Sequence, residues 1–343
     1  MLDGITATRV TTPRLTAQVL SVAGRDEGDP VVFVHGNVSS SLFWQRQMLD
    51  LPAGYRPLAV DLRGFGGSDP LPVDATRGLR DYADDVLSLD LGPAHYVGWS
   101  MGGGVVLHIL RDHPAQVRTL TLVNPVSPYG FGGTTDVDGT LISPDGAGAG
   151  AGGANPDFVQ RLASGDRGAE PMSPRTVMRT FYVKPPFSMT DEDEFVESML
   201  TTRTGEDNYP GDTVPSDVWP GAAPGPRGVL NTMAPNHFRI DDLHTVDPKP
   251  PILWLRGADD QIVSDTSMFD LAYLGQLGAI PGWPGAETHP PQPMIAQTRA
   301  VLDRYAEAGG TYEEIVFPDT GHSPHIERPA EFAAALHKGL TRG

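Results

Sequence analysis

The 343-residue chain contains no cysteine. That excludes disulfides, thiolate metal sites and a cysteine nucleophile, and says little about compartment. It has no apolar run approaching the roughly 20 residues that a spanning helix needs. Its opening, Met1-Leu2-Asp3-Gly4-Ile5, lacks the basic segment and apolar core of a signal peptide. Positive charge is scarce: Lys and Arg number 25 against 43 Asp and Glu, a net −18. An acidic surface attracts neither nucleic acid nor anionic membrane, so neither is expected as a partner. No internal repeat, metal-ligand cluster or phosphate-binding glycine fingerprint stands out, so no cofactor or metal is expected. These absences leave a cytoplasmic protein built as one large domain, or as a domain plus an insert.

What is present is a rhythm. Residues 5–22 alternate apolar and polar positions around Pro13 and predict two edge strands. Val31–Val34, Leu58–Val60, the run after Pro93 and Leu120–Asn124 read as short buried strands. Helical patterns lie between them, through Trp44–Met48, Tyr82–Leu87 and Val105–Leu110. Strand and helix in alternation mean a parallel sheet covered on both faces. Sites in such sheets lie beyond the carboxyl ends of the strands.

From about position 128 to 246 the rhythm stops. Gly146–Gly153 is nearly all glycine and alanine, and Pro210–Gly228 is crowded with Pro and Gly. Helices are expected at Arg175–Tyr182, at Asp191–Leu200 with its acidic first turn, and over Gly228–Leu243. The sheet resumes at Ile252–Leu255. Helices follow at Phe269–Leu277 and Met294–Ala306, flanking a Pro-rich detour from Pro281 to Pro293. Strand Tyr312–Phe317 and helix Pro329–Leu340 close the chain. The expected division is therefore a core of residues 1–127 and 246–343 with an insert, 128–245, lying over the sheet.

The organising stretch is Tyr96-Val97-Gly98-Trp99-Ser100-Met101-Gly102-Gly103-Gly104. A Gly-x-Ser-x-Gly between strand and helix makes a turn so tight that its serine is strained and its hydroxyl projects above the sheet. Unpaired N–H groups at the helix start then favour developing negative charge. A serine needs an imidazole base, and the imidazole needs a carboxylate to hold its tautomer and stabilise its cation. Two later strand ends offer these groups: Asp259-Asp260 after the Ile252 run, and His322 after Tyr312–Phe317. Serine, acid, histidine is the order expected for such an elbow.

With those residues assembled, the chain resembles the α/β-hydrolase superfamily. The motifs that carry the likeness are His35-Gly36, Asp61-Leu62-Arg63-Gly64-Phe65-Gly66-Gly67-Ser68, Gly98–Gly103, Gly257-Ala258-Asp259-Asp260-Gln261-Ile262-Val263 and Gly321-His322. The resemblance covers both flanks of the insert. It implies eight strands, mostly parallel, with helices on both faces and a cap inserted after the sixth strand, which ends at Asn124. It also implies the triad Ser100, Asp260 and His322. Asp260 stands three residues after the glycine and three before the valine, as in the family, whereas Asp259 reads as a turn carboxylate. Relatives that carry the acid after the preceding strand would need it at Asn124, which cannot hold the charge. His325 reads as a wall residue, and His35 and Arg63 as braces of neighbouring loops.

By position, the oxyanion hole falls to the backbone N–H groups of Asn37 and Met101. Asn37, with Phe43 and Trp44 beyond it, is also similar to the halide-holding loop of haloalkane dehalogenases. A serine at position 100 rejects that chemistry, because alkylation would leave an ether that the triad could not hydrolyse. Epoxide chemistry falls with it, since both need an aspartate there. The insert's aromatics and methionines, Phe131, Phe181 and Tyr182 among them, are expected mostly to pack the cap, with a few lining an apolar pocket above Ser100. The activity implied is hydrolysis of a small to medium, largely apolar ester or lactone. The alternatives are a carbon–carbon bond hydrolase of diketones with the same triad, then an acyltransferase, a perhydrolase or a non-catalytic ligand-binding protein.

Overall fold

In the computed structural model, which describes residues 1–150 and 153–343, the apolar runs assemble into one eight-stranded sheet. Its strands are β1 (Ile5–Thr11), β2 (Thr16–Val22), β3 (Asp29–Val34), β4 (Tyr55–Val60), β5 (Ala94–Trp99), β6 (Val117–Val123), β7 (Ile252–Gly257) and β8 (Tyr312–Phe317). They lie in the order β1-β2-β4-β3-β5-β6-β7-β8. Strand β2 is antiparallel to both neighbours, and every pair from β4 to β8 is parallel. The burial pattern explains the division. β1 is exposed at most positions and forms an edge, while β5 is buried at all of them, as strands covered on both faces must be. Of the two expected edge strands only β1 is one, because β2 also bonds to β4.

The α-helices longer than four residues are, among the described residues, α1 (Gln45–Asp50), α2 (Arg80–Leu87), α3 (Met101–Asp112), α4 (Pro156–Ser164), α5 (Glu192–Leu200), α6 (Leu271–Gln276), α7 (Met294–Glu307) and α8 (Pro329–Leu340). α3 packs on β5 and β6 beside α2, and α8 packs on β6 and β7 beside α1. Trp44, Trp99, Trp254 and Phe33 are fully buried between these layers. Among the described residues no helix is long and apolar enough to cross a membrane.

Between β6 and β7 the chain adds no strand to the main sheet. Helix α4 is capped by Asn155, whose side chain accepts from Asp157 N (2.9 Å), and ends at Gly165 in the left-handed region. The helix expected over Arg175–Tyr182 is a helical turn, Pro174–Val177, that widens into a π-helical turn, Met178–Tyr182. The helix expected over Gly228–Leu243 does not form. Leu230–Met233 and Leu243–Thr245 are separate 3₁₀ turns, and Pro235 between them lacks the N–H that a continuing helix needs.

Composition makes Gly146–Gly153 and Pro210–Gly228 the natural places for a protease to cut. Of the two, Gly146–Ala149 is buried, and Ala151 and Gly152 lie outside the described residues. Thr213–Pro215 is exposed throughout, as are Asp217 and Gly221. Limited proteolysis is therefore expected to nick residues 216–221 first, the turn that joins the paired strands Thr213–Pro215 and Ala222–Pro224, since exposed loop backbone is what a protease can bind. A first cut within Gly146–Ala149, read by mass spectrometry, would contradict this.

Candidate active site

The turn at Ser100 is built by close packing. Ser100 sits at φ 56°, ψ −121°, between fully buried β5 and the start of α3. Its N–H bonds Val123 O (2.9 Å), and its carbonyl accepts from Gly103 N (2.9 Å) and Val126 N (3.1 Å). A Cβ on Gly102 would lie 2.4 Å from Val34 O and 2.5 Å from His35 O, and one on Gly98 would lie 2.3 Å from Gly102 O. These are backbone contacts that cannot swing aside. Gly102→Ala is accordingly expected to cost about 1–3 kcal/mol through overpacking. A thermal-unfolding midpoint equal to wild type would contradict that.

Asp260 and His322 follow the carboxyl ends of β7 and β8, on the same sheet edge as Ser100. His322 Nδ1 donates to Asp260 Oδ2 at 2.8 Å, with both side chains almost wholly buried. The other carboxylate oxygen, Oδ1, accepts from Ile262 N (2.7 Å) and Val263 N (3.2 Å). Asp260 thus has one oxygen held by its own turn and one facing the imidazole. Asp259 points elsewhere: its side chain is 44% exposed and pairs with Lys184 Nζ at 2.9 Å. Ser100 Oγ and His322 Nε2 each have no hydrogen-bond partner among the described residues. Nucleophile–base bonds of this kind commonly tighten only with substrate in place.

Two ties set the histidine loop. Trp99 Nε1 donates to His322 O at 2.9 Å, which joins the residue before Ser100 to the histidine itself. Asn124 Nδ2 donates to Gly321 O (3.1 Å) while its Oδ1 accepts from Gly257 N (3.0 Å). Asn124 thus bridges the end of β7 to the loop that carries His322.

The N–H groups of Asn37 and Met101 donate to no protein acceptor among the described residues. Gly36 brings the first of them close, since a Cβ there would stand 2.9 Å from Ser100 Cβ. Two unpaired donors beside a strained serine can stabilise an oxyanion. His35 is buried; its Nδ1 donates to Gly36 O (2.7 Å) and its Nε2 accepts from Leu62 N (3.0 Å). Burial lowers its pKa and keeps it neutral. Arg63 braces as expected, with Nε and Nη2 on Asp85 at 2.6 and 2.7 Å. Trp44 is a core residue, stacked on His325 with ring centroids 4.4 Å apart. The His325 ring has no hydrogen-bond partner among the described residues, while its carbonyl accepts from Gln47 Nε2 at 2.6 Å, and burial drives its pKa down to about 3.

Two groups had no local signal in the sequence. Glu327 accepts from Gly321 N (2.9 Å) and from Lys184 N (2.8 Å), and Tyr182 donates to the loop at Asn37. Both act across more than a hundred residues or through a neighbouring turn, where periodicity carries no information.

Comparison with known proteins gives the same frame. The profile of the Alpha/beta hydrolase family matches residues 31–335. A non-heme chloroperoxidase of Streptomyces lividans is 39% identical over 122 residues, 34% of this chain and 44% of that protein. The chain spans less than half the length of the curated relatives it matches. Among solved structures, the carboxylesterase CesB of Bacillus subtilis superposes with a TM-score of 0.59 at 16% identity, covering 99% of this chain and 92% of that one. Est816, described as an N-acyl homoserine lactone degrading enzyme, superposes with a TM-score of 0.55 at 20% identity, covering 96% and 99%. At such identities these two likenesses speak for the fold.

Proposed function

The chain belongs to the alpha/beta hydrolase family, and on that premise we propose that it is a serine hydrolase cleaving a carboxylic ester or lactone of a small to medium, largely apolar substrate. The observation that carries this reading is the His322 Nδ1–Asp260 Oδ2 bond of 2.8 Å at the sheet edge where Ser100 stands in its strained turn. His322 Nε2 takes the Ser100 proton as Oγ attacks the carbonyl. Asp260 holds the imidazole with its proton on Nδ1 and stabilises the cation that forms. The N–H groups of Asn37 and Met101 bind the developing oxyanion. The imidazolium then protonates the leaving alkoxide, and water, deprotonated by the same histidine, releases the acid from Ser100.

Residues 128–245 act in this reading as a cap that selects the substrate. The likeness to the carboxylesterase CesB speaks only for the fold, so the substrate class is tested directly. Acyl esters, lactones and vinylogous diketones are to be assayed with wild type and with Ser100→Ala. Turnover of esters or lactones that depends on Ser100 is the expected result. Turnover confined to the diketones would replace ester cleavage by carbon–carbon cleavage with the same triad.

A further inference from the structure

Three consecutive residues of the insert touch every loop of the candidate site. The Tyr182 hydroxyl is shared between Asn37 O and Val38 O, each at 3.1 Å. Its ring stands edge-on to Trp99 at 5.7 Å and lies 6.3 Å from the His322 ring. The Lys184 N–H donates to Glu327 Oε2 at 2.8 Å, and the other oxygen of Glu327 holds Gly321 N at 2.9 Å. Lys184 Nζ pairs with Asp259 at 2.9 Å and with Asp319 at 2.5 Å. Gly321 makes the approach possible: a Cβ there would stand 2.7 Å from Lys184 N and 3.0 Å from Val183 C.

One contact restrains a strained residue. Val38 is buried at φ 47°, and a β-branched residue in the left-handed region is an outlier that persists only where its surroundings hold it. The carbonyls of Val38 and of Asn37 are the two that accept the Tyr182 hydroxyl. The hydroxyl comes from the last residue of the π-helical turn Met178–Tyr182, a form of turn frequent at functional sites. Burial raises the pKa of Tyr182, so it remains a donor in the working range.

From this we infer that Tyr182–Lys184 is a strap through which seating of the insert assembles the catalytic machinery, with Tyr182 as the positioning residue for the oxyanion loop. The inference rests on the serine-hydrolase reading above. With the strap seated, Val38 is held and the Asn37 N–H stays aimed at the oxyanion. With it displaced, Val38 relaxes and the donor is lost, while the Gly321–His322 loop loses its link to the insert through Glu327. Substrate that seats the insert would then also complete the site, so closure and catalytic competence are one event.

The test is Tyr182→Phe, which removes one oxygen and keeps the ring. Rates are expressed per site titrated with an organophosphonate on Ser100, so unfolded protein is not counted. We expect kcat to fall about ten- to hundredfold with KM within about threefold of wild type, because the lost donor matters mainly in the transition state. An alkylboronic acid, which forms a tetrahedral adduct on Ser100, should lose affinity by a similar factor, which a purely structural role would not produce. Adding Val38→Gly should recover at least about fivefold of kcat, since glycine takes the left-handed conformation freely. That double variant also carries the test if the single one is too unstable to titrate. A kcat within about twofold of wild type, or a fall in kcat with boronate affinity unchanged, overturns the inference while leaving the hydrolase reading intact. Absence of phosphonate on Ser100 in wild type overturns both.

Discussion

Ser100→Ala is expected to abolish turnover and leave the protein folded. The hydroxyl makes no hydrogen bond among the described residues, so its removal strands no buried partner. The backbone bonds that hold the turn, to Val123, Gly103 and Val126, do not involve the side chain, and alanine meets the same strain at φ 56° that serine does. Loss of a triad nucleophile typically lowers the rate by on the order of 10⁴ to 10⁶. An organophosphonate should label wild type once and Ser100→Ala not at all, with matching thermal-unfolding midpoints. A variant that kept most of its activity would end the serine-hydrolase reading.

The adjacent aspartates should behave oppositely. In Asp260→Asn the amide oxygen is held in place, because Ile262 N and Val263 N both donate to the Oδ1 position. The amide NH2 is then turned toward His322 Nδ1, where the carboxylate oxygen had accepted at 2.8 Å. The imidazole must now accept at Nδ1, which places its proton on Nε2 and removes the lone pair that should take the Ser100 proton. The charge that stabilises the imidazolium is lost as well. In a serine protease the equivalent change costs roughly 10⁴ in kcat, and a loss of that order is expected here.

Asp259→Asn removes half of an ion pair with Lys184 that is 44% exposed on the aspartate side. Exposed pairs contribute about 0–1 kcal/mol, so turnover should change by less than about tenfold. Measuring kcat/KM of both variants on one ester, with thermal unfolding as a fold control, decides the matter. An inactive Asp259→Asn beside an active Asp260→Asn would move the acid by one residue.

The insert shows where local reading ends. Strand Tyr312–Phe317 and helix Pro329–Leu340 have the bounds that their pattern predicts, because the apolar period that marks each is read within the element itself. Gly228–Leu243, by contrast, forms only turns. Its groups are satisfied by distant ones, as in the bonds from Ile240 N to Pro128 O (2.7 Å) and from Phe131 N to Met233 O (2.8 Å). The buried Gly146–Ala149 run is another such case: composition describes a linker, and packing against the rest of the insert decides otherwise.

By itself, the sequence determined the parallel sheet, the tight turn at Ser100 and the strand ends from which Asp260 and His322 come. Those follow from short-range rules: the period of apolar residues, the room that glycines leave, and the order of motifs along the chain. Only the tertiary structure decided which way Asp259 and Asp260 face, that Asn124 spaces β7 from the histidine loop, and that Tyr182 and Lys184 reach the site. These are pairings between residues tens to hundreds of positions apart, such as Asp260 with His322 and Tyr182 with Asn37. They depend on how the elements pack, and no local pattern encodes a contact whose two halves lie on different elements.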